Sequence, residues 1–493
     1  MASERGTAMK HWGGSWPMSR LCLGIIGMTI VALSVHASPT GSGAVTKTTA
    51  SSPSPNQSAT PSARAQKSHK SRHSRLRVTR VRAARKLKPM PALGETPFQA
   101  DVALLPVIEN AKSQLEKEKV SYFPDSKQKP ARREIKLALA DFKTGEIQIV
   151  RGIEEKGQFS LSDAKIQYQV SWWNGFNSSI DILQPANTGV VALLYALEPK
   201  RQKFFGQDAL IYTPYSSALL QPELVEAGKV YLMGKIRQAQ QELAPVMSRT
   251  FPDKPLSVSP AFSDEDYFHL ILAEQMDPGR FRSITGEDTK FNDDQASQLM
   301  RLAERILVII GANQEDAYSF TGNYASARGI TQFTPSGMSA VWRMYPEAGI
   351  PRNFKEATSN HLSAIKAEIC LLDYYLAELS TGHPSLMGSG YERYASGASY
   401  NGGPKRVQYG LSKFGVEWLN PLLRLKDLDQ KEQLSRNERL EHQWLARYRT
   451  HETYVYLNKM HALESLQERL ELPRNTENPG ESVSNATNSS VRE

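Results

Sequence analysis

The hydrophobic pattern of this chain changes period once, and that change constrains what it can fold into. Between residue 95 and about 258 the apolar residues tend to alternate, as in half-buried strands. From Ala261 to about Leu472 they recur at helical spacing. In the first stretch, Ile135 to Ala140 and Glu146 to Val150 flank Lys143-Thr144-Gly145, and Tyr168 to Trp173 precedes Asn174-Gly175 and Ile180 to Leu183, which predicts hairpins. The first stretch ends in a helical run from Pro222 to Ala244, and a Pro- and Ser-rich link, Pro252 to Pro260, leads to the second. The second stretch predicts helices over Ser263 to Met276, Asp294 to Gly311 and Ser359 to Leu379, with more from Gln430 onward. The expected class is α+β: a mainly α domain over 261–472 preceded by a smaller β-containing module over 95–258.

The ends read differently. Leu21 to Val35 is a fifteen-residue, largely apolar run preceded by Lys10 and Arg20 and followed by Val35-His36-Ala37. This predicts a secretory signal over 1–37, and an uncleaved membrane anchor is the alternative. Residues 38–94 carry twelve Lys/Arg and no acid among Ser, Thr, Pro and Ala, a composition that buries no core and serves as a tether. Without the leader and tether, residues 95–493 have a net charge of −5, so the basic character belongs to the tether. For an exported chain, that tether suits anionic membrane lipids or wall polymers better than nucleic acid, and a merely solvated linker fits equally well. Cys22 lies in the leader, which leaves Cys370 alone among Ile369, Leu371 and Leu372 as a buried thiol with no disulfide partner. The polar tail, 473–493, contains a glycosylation-like Asn485-Ala486-Thr487. In the first module Trp172, Trp173 and Phe176 offer rings to a sugar, although core packing is the stronger expectation.

Two motifs in the helical half carry chemistry. The first runs Tyr324-Ala325-Ser326-Ala327-Arg328-Gly329-Ile330-Thr331-Gln332-Phe333-Thr334-Pro335-Ser336, and the second Ala398-Ser399-Tyr400-Asn401-Gly402-Gly403-Pro404-Lys405-Arg406-Val407. Glycine at 329, 402 and 403 permits close backbone approach, and the Gln332 and Asn401 amides match acetamido and hydroxyl groups or else cap turns. In this order, with a Leu-rich helix between them, the segments resemble the lytic transglycosylase branch of the lysozyme-like superfamily. The resemblance implies a lysozyme-like domain that binds peptidoglycan glycan strands through Ser326, Gly329, Gln332, Phe333, Tyr400 and Asn401.

Cleaving a glycosidic bond needs a carboxyl that stays protonated near neutral pH. Glu274 follows Tyr267, Leu270 and Ile271 on the inward face of a helix that Ser263 can cap and Pro278 closes. Glu274-Gln275-Met276-Asp277-Pro278 resembles the family's Glu-Ser-x-Phe-x-Pro with one residue fewer and Gln for Ser. The 58 positions from Glu274 to Gln332 resemble the membrane-bound type B group. The rival is Glu315, 17 positions before Gln332, which sits in the polar run Asn313-Gln314-Glu315-Asp316, read as a solvated helix exit. The favoured acid is Glu274.

The resemblance implies an exported enzyme that makes 1,6-anhydro-N-acetylmuramic acid ends, with one Glu as acid and then base and no Asp paired with it. No metal cluster or phosphate loop is evident, so no cofactor is expected, and protein partners are not legible. The alternatives are a hydrolytic muramidase using the same acid and a non-catalytic wall-binding scaffold.

Overall fold

The computed structural model describes residues 98–126, 130–173, 175–258, 261–286, 291–320, 326–420 and 452–470. The leader, the tether, the tail, Asn174, Tyr324, Ala325 and residues 430–450, where the sequence predicts further helix, lie outside the described residues. The α+β class holds: an antiparallel sheet precedes a mainly helical body.

The sheet grows from the hairpin that the sequence predicts. β2 (Arg132–Asp141) pairs antiparallel with β3 (Ile147–Glu155). The Asp141 carboxylate accepts from the Lys143 and Thr144 amides at 2.7 and 3.2 Å, and Gly145 takes the positive φ (76°) that closes the turn. The full order is β4 (Gln158–Leu161), β3, β2, β7 (Thr188–Ala196), β8 (Ala209–Tyr212), with the short β1 (Tyr122–Phe123) also on β2. Every residue of β7 is buried, between β2 and β8 and under α1 (Leu104–Glu116). β5 (Gln167–Trp172) and β6 (Ser179–Gln184) make the second predicted hairpin. A seven-residue helix, α2 (Pro199–Phe205), links β7 to β8.

The boundary drawn at 258 marks a change of pattern and not of packing. α3 (Pro222–Leu243) packs against α6 (Asp293–Asn313) and α9 (His361–Gly382), deep in the helical half. Two glycines set the α3–α6 approach: a Cβ on Gly228 would lie 2.1 Å from the Leu307 carbonyl oxygen, and one on Gly311 would lie 2.2 Å from that of Leu224. Asn313 is buried and exchanges two hydrogen bonds with the Thr213 backbone at the end of the sheet (2.8 and 3.0 Å), so the helix exit read as solvated is solvated only beyond this residue. Asp373 of α9 accepts from Ser248 Oγ, the Arg249 amide and the Tyr345 hydroxyl, each at 2.6 Å, and so fastens the residues after α3 to the helical body.

α4 (Asp264–Gln275) begins where expected. Ser263 caps it and Asp266 completes a capping box. It is not an amphipathic surface helix, however: residues 267 to 273 are all buried, because α3, α6 and α12 (Glu452–Ser465) surround it. Pro278 does not simply stop the chain but opens α5 (Pro278–Thr285) behind the Asp277 cap. α10 (Glu392–Gly402) and α11 (Pro404–Phe414) meet at Gly403, whose φ is 85°. Among the described residues, no helix is long and apolar enough to cross a membrane.

Candidate active site

Glu274 occupies the last turn of α4, one of its carboxyl oxygens shielded from solvent. A second carboxyl, Glu368 of α9, lies beside it. Glu368 is completely buried, and neither of its oxygens has a hydrogen-bond partner. Burial, and then the charge of Glu274, push its pKa well above the carboxylate range. The sequence reading names no Asp paired with Glu274; the neighbouring carboxyl is a glutamate from a different helix, 94 residues away in the chain.

Two phenols complete the cluster. Burial first, then the Glu368 and Glu274 charges, raise the Tyr400 phenol well above its usual range. Tyr400 donates to the Thr331 carbonyl oxygen at 2.6 Å, and its ring stands edge-on to Phe333 at 5.7 Å. Tyr456 of α12 is buried and is raised in the same way by burial, Glu274, Glu368 and Tyr400. Thr331 Oγ1, Ser399 Oγ, Asn401 Oδ1 and Thr453 Oγ1, on the segments that build this cluster, are buried without hydrogen-bond partners. Such groups are costly in a folded interior unless a ligand or water meets them.

The first motif forms a closed loop. Arg328 and Phe333 exchange backbone hydrogen bonds at 2.9 Å, and Gly329 takes a φ of 76° with the Thr358 carbonyl oxygen 2.1 Å from where a Cβ would sit. Gln275 donates its amide to the Gly329 and Ile330 carbonyl oxygens at 3.1 and 2.7 Å, which ties the loop to the residue after Glu274. Gln275 therefore has a structural use. From the other side Lys459 of α12, also buried, donates to the Ala273 and Met276 carbonyl oxygens at 2.8 and 2.5 Å. A cation at the carbonyl end of a helix is favourable, and here it holds the turn that carries Glu274.

The remaining expected residues are divided. Gln332, at a φ of 49°, turns its amide back onto the Gly329 carbonyl oxygen (2.8 Å) and so caps its own turn. Phe333 is 1% exposed, which removes it from the ligand-contacting set and makes it the wall behind Tyr400. Ser326 is exposed with a φ of 61°, and Asn401 retains its unpartnered oxygen. Glu315 stands apart, on a short 3₁₀ turn after α6, half exposed and ion-paired with Lys235. Burial raises its pKa, but hydrogen bonds from Lys235 and Tyr231 outweigh this and hold it below the usual range, the opposite of what a proton donor needs. Trp173 is stacked on Phe159 at 4.6 Å and 14°, as core packing predicts, whereas Trp172 is half exposed; the Phe176 side chain lies outside the described residues.

Glu368, Tyr456 and Lys459 are absent from the sequence reading. Glu368 had a signal, an acid inside the apolar run Ile365 to Leu372, the same kind of signal that singled out Glu274. Tyr456 and Lys459 had none, because α12 joins the site only through packing. Among the described residues no group of His, Cys, Asp and Glu could hold a metal ion, and Cys370 is buried and free. Comparison with protein-family models, with curated proteins and with solved structures finds no match, so the site's geometry carries the functional reading.

Proposed function

We propose that this protein is an exported lytic transglycosylase that cleaves the β-1,4 bond between N-acetylmuramic acid and N-acetylglucosamine in peptidoglycan. The observation that carries this reading is the meeting of both motif segments next to one carboxyl: Gln275, the residue after Glu274, donates to the Gly329 and Ile330 carbonyl oxygens, and Tyr400 of the second motif donates to the Thr331 carbonyl oxygen of the same loop.

Glu274 donates its proton to the leaving oxygen as the bond to the muramic acid C1 breaks. The resulting carboxylate takes the proton from that sugar's 6-hydroxyl as O6 bonds to C1, closing the 1,6-anhydro ring and restoring the acid. Glu368, completely buried behind Glu274, adds no nucleophile to this step. Export and retention near an anionic envelope surface by the basic tether complete the proposal.

Digestion of purified sacculi followed by product mass spectrometry tests it, with wild type beside Glu274→Gln and Glu315→Gln. Wild type and Glu315→Gln are expected to release anhydromuropeptides, and Glu274→Gln to lose ~100- to 10,000-fold in rate. Reducing ends in place of anhydro ends make the protein a muramidase. Binding to sacculi without release makes it a scaffold.

A further inference from the structure

Phe204 lies at the end of α2, 37% exposed, with cations gathered around it. The Arg328 guanidinium sits 4.2 Å from its ring centre and the Lys355 ammonium 4.8 Å, and Lys355 also donates to the Phe204 carbonyl oxygen. Arg201, on the preceding turn of α2, is close enough that its charge, after burial, lowers the proton affinity of Arg328. Arg201 pairs with Glu198 at 3.9 Å, whereas among the described residues no carboxylate is paired with Arg328 or Lys355. A ring face orients a cation but does not neutralise it, so Arg328 and Lys355 bring positive charge to this surface.

Its place in the fold gives that charge a use. Arg328 closes one end of the loop whose Gly329 and Ile330 carbonyls hold Gln275, next to Glu274, and whose other end, Phe333, backs Tyr400. The cation cluster and the candidate acid thus flank one short loop. Resting on the function proposed above, we propose that Arg201, Arg328 and Lys355 around Phe204 form a subsite for the carboxylates of the peptide stem on the muramic acid residue. The sugars of the strand carry no other charge at that point. Arginine forks match carboxylates in two-point fashion, and the Phe204 ring offers an apolar seat for the stem's aliphatic parts.

The test compares wild type with Arg201→Gln/Lys355→Gln on glycan strands that bear their peptide stems and on strands stripped of them by an amidase. The ratio of kcat/KM on stem-bearing to stem-free strands is expected to fall about ten-fold in the variant, and an unchanged ratio overturns the subsite. Arg201→Gln alone, on an exposed turn of α2, covers the case in which the double variant does not fold, and is expected to move the ratio the same way. A second arm does not depend on catalysis: equilibrium binding of a soluble disaccharide tetrapeptide is compared with that of its carboxyl-amidated form. Wild type is expected to prefer the free carboxylates about five-fold or more, and the variants to lose that preference. If wild type cleaves neither kind of strand, the transglycosylase reading fails, and the binding arm still decides the subsite. Equal binding of both forms by wild type overturns it.

Discussion

Glu368 lies beside Glu274 with no hydrogen bond to either of its own carboxyl oxygens, so two acids from helices distant in sequence share one buried polar cluster. Glu274 is partly exposed and Glu368 is sealed, so under the proposed function Glu274 is the proton donor.

Replacing Glu368 with Gln separates these roles. The amide copies the shape of the neutral acid, so Glu368→Gln should keep more than about a tenth of the wild-type rate, far from the ~100-fold or greater loss expected of a general acid. Stability gives a second readout. Between the ordinary carboxyl range and the raised one, folded wild type holds a proton that the unfolded chain has released, so its stability falls as pH rises through that window. The variant lacks this term, and its melting temperature relative to wild type should therefore climb from pH 4 to pH 8. A flat difference would mean that Glu368 titrates as an ordinary carboxyl.

Lys459→Met keeps the buried stem and removes the ammonium from the Ala273 and Met276 carbonyls. A loss of about 1–3 kcal/mol in unfolding free energy is expected from denaturant titration, because buried acceptors lose a charged donor. Glu274 sits on the turn so released, and kcat should drop more than KM changes. A variant with wild-type stability and kcat would show that α12 is passive.

The α3–α6 crossing makes a sharp comparison on a single helix. Gly228→Ala drives a methyl group into the Leu307 carbonyl and should cost about 1–3 kcal/mol or more in thermal or denaturant unfolding. Gly234→Ala, also on α3 with nothing within 4 Å of the new Cβ, should be neutral or stabilising by up to about 1 kcal/mol. Equal effects would remove close backbone approach as the reason for Gly228.

Two buried histidines make the fold sensitive to acid. Burial lowers His269 and His361 to about 4 from 6.5, so the unfolded chain takes up protons first, and stability declines as pH falls from 6.5 towards 4. His361 spends its Nε2 proton on the Ala317 carbonyl oxygen (2.7 Å), with Nδ1 2.9 Å from the Tyr231 hydroxyl, whereas His269 Nε2 has no partner. His269→Leu should therefore fold at pH 7 and lose less stability on acidification than wild type, by on the order of 2–3 kcal/mol at most. A melting series from pH 7 to pH 4 measures the difference, and identical slopes would count against it.

What the sequence by itself determined is local. The strand pattern around Lys143-Thr144-Gly145, the Ser263 cap, the extent of α3 and the breaks at Pro278 and Gly403 are all legible because turn chemistry, capping and periodicity act within a few residues. The motif glycine at 329 is legible for the same reason, since its backbone conformation and the tight space beside it tolerate no side chain. Tertiary structure alone decided that α3 belongs to the helical core, that α4 packs against α3, α6 and α12, that Phe333 backs Tyr400, and that Glu368, Tyr456 and Lys459 gather at Glu274. These outcomes depend on which helix faces meet across separations that range from tens of residues to about 190. Periodicity says that a helix has a buried face; only the packed neighbours fix what that face touches, and a carboxyl's proton affinity is set by those neighbours.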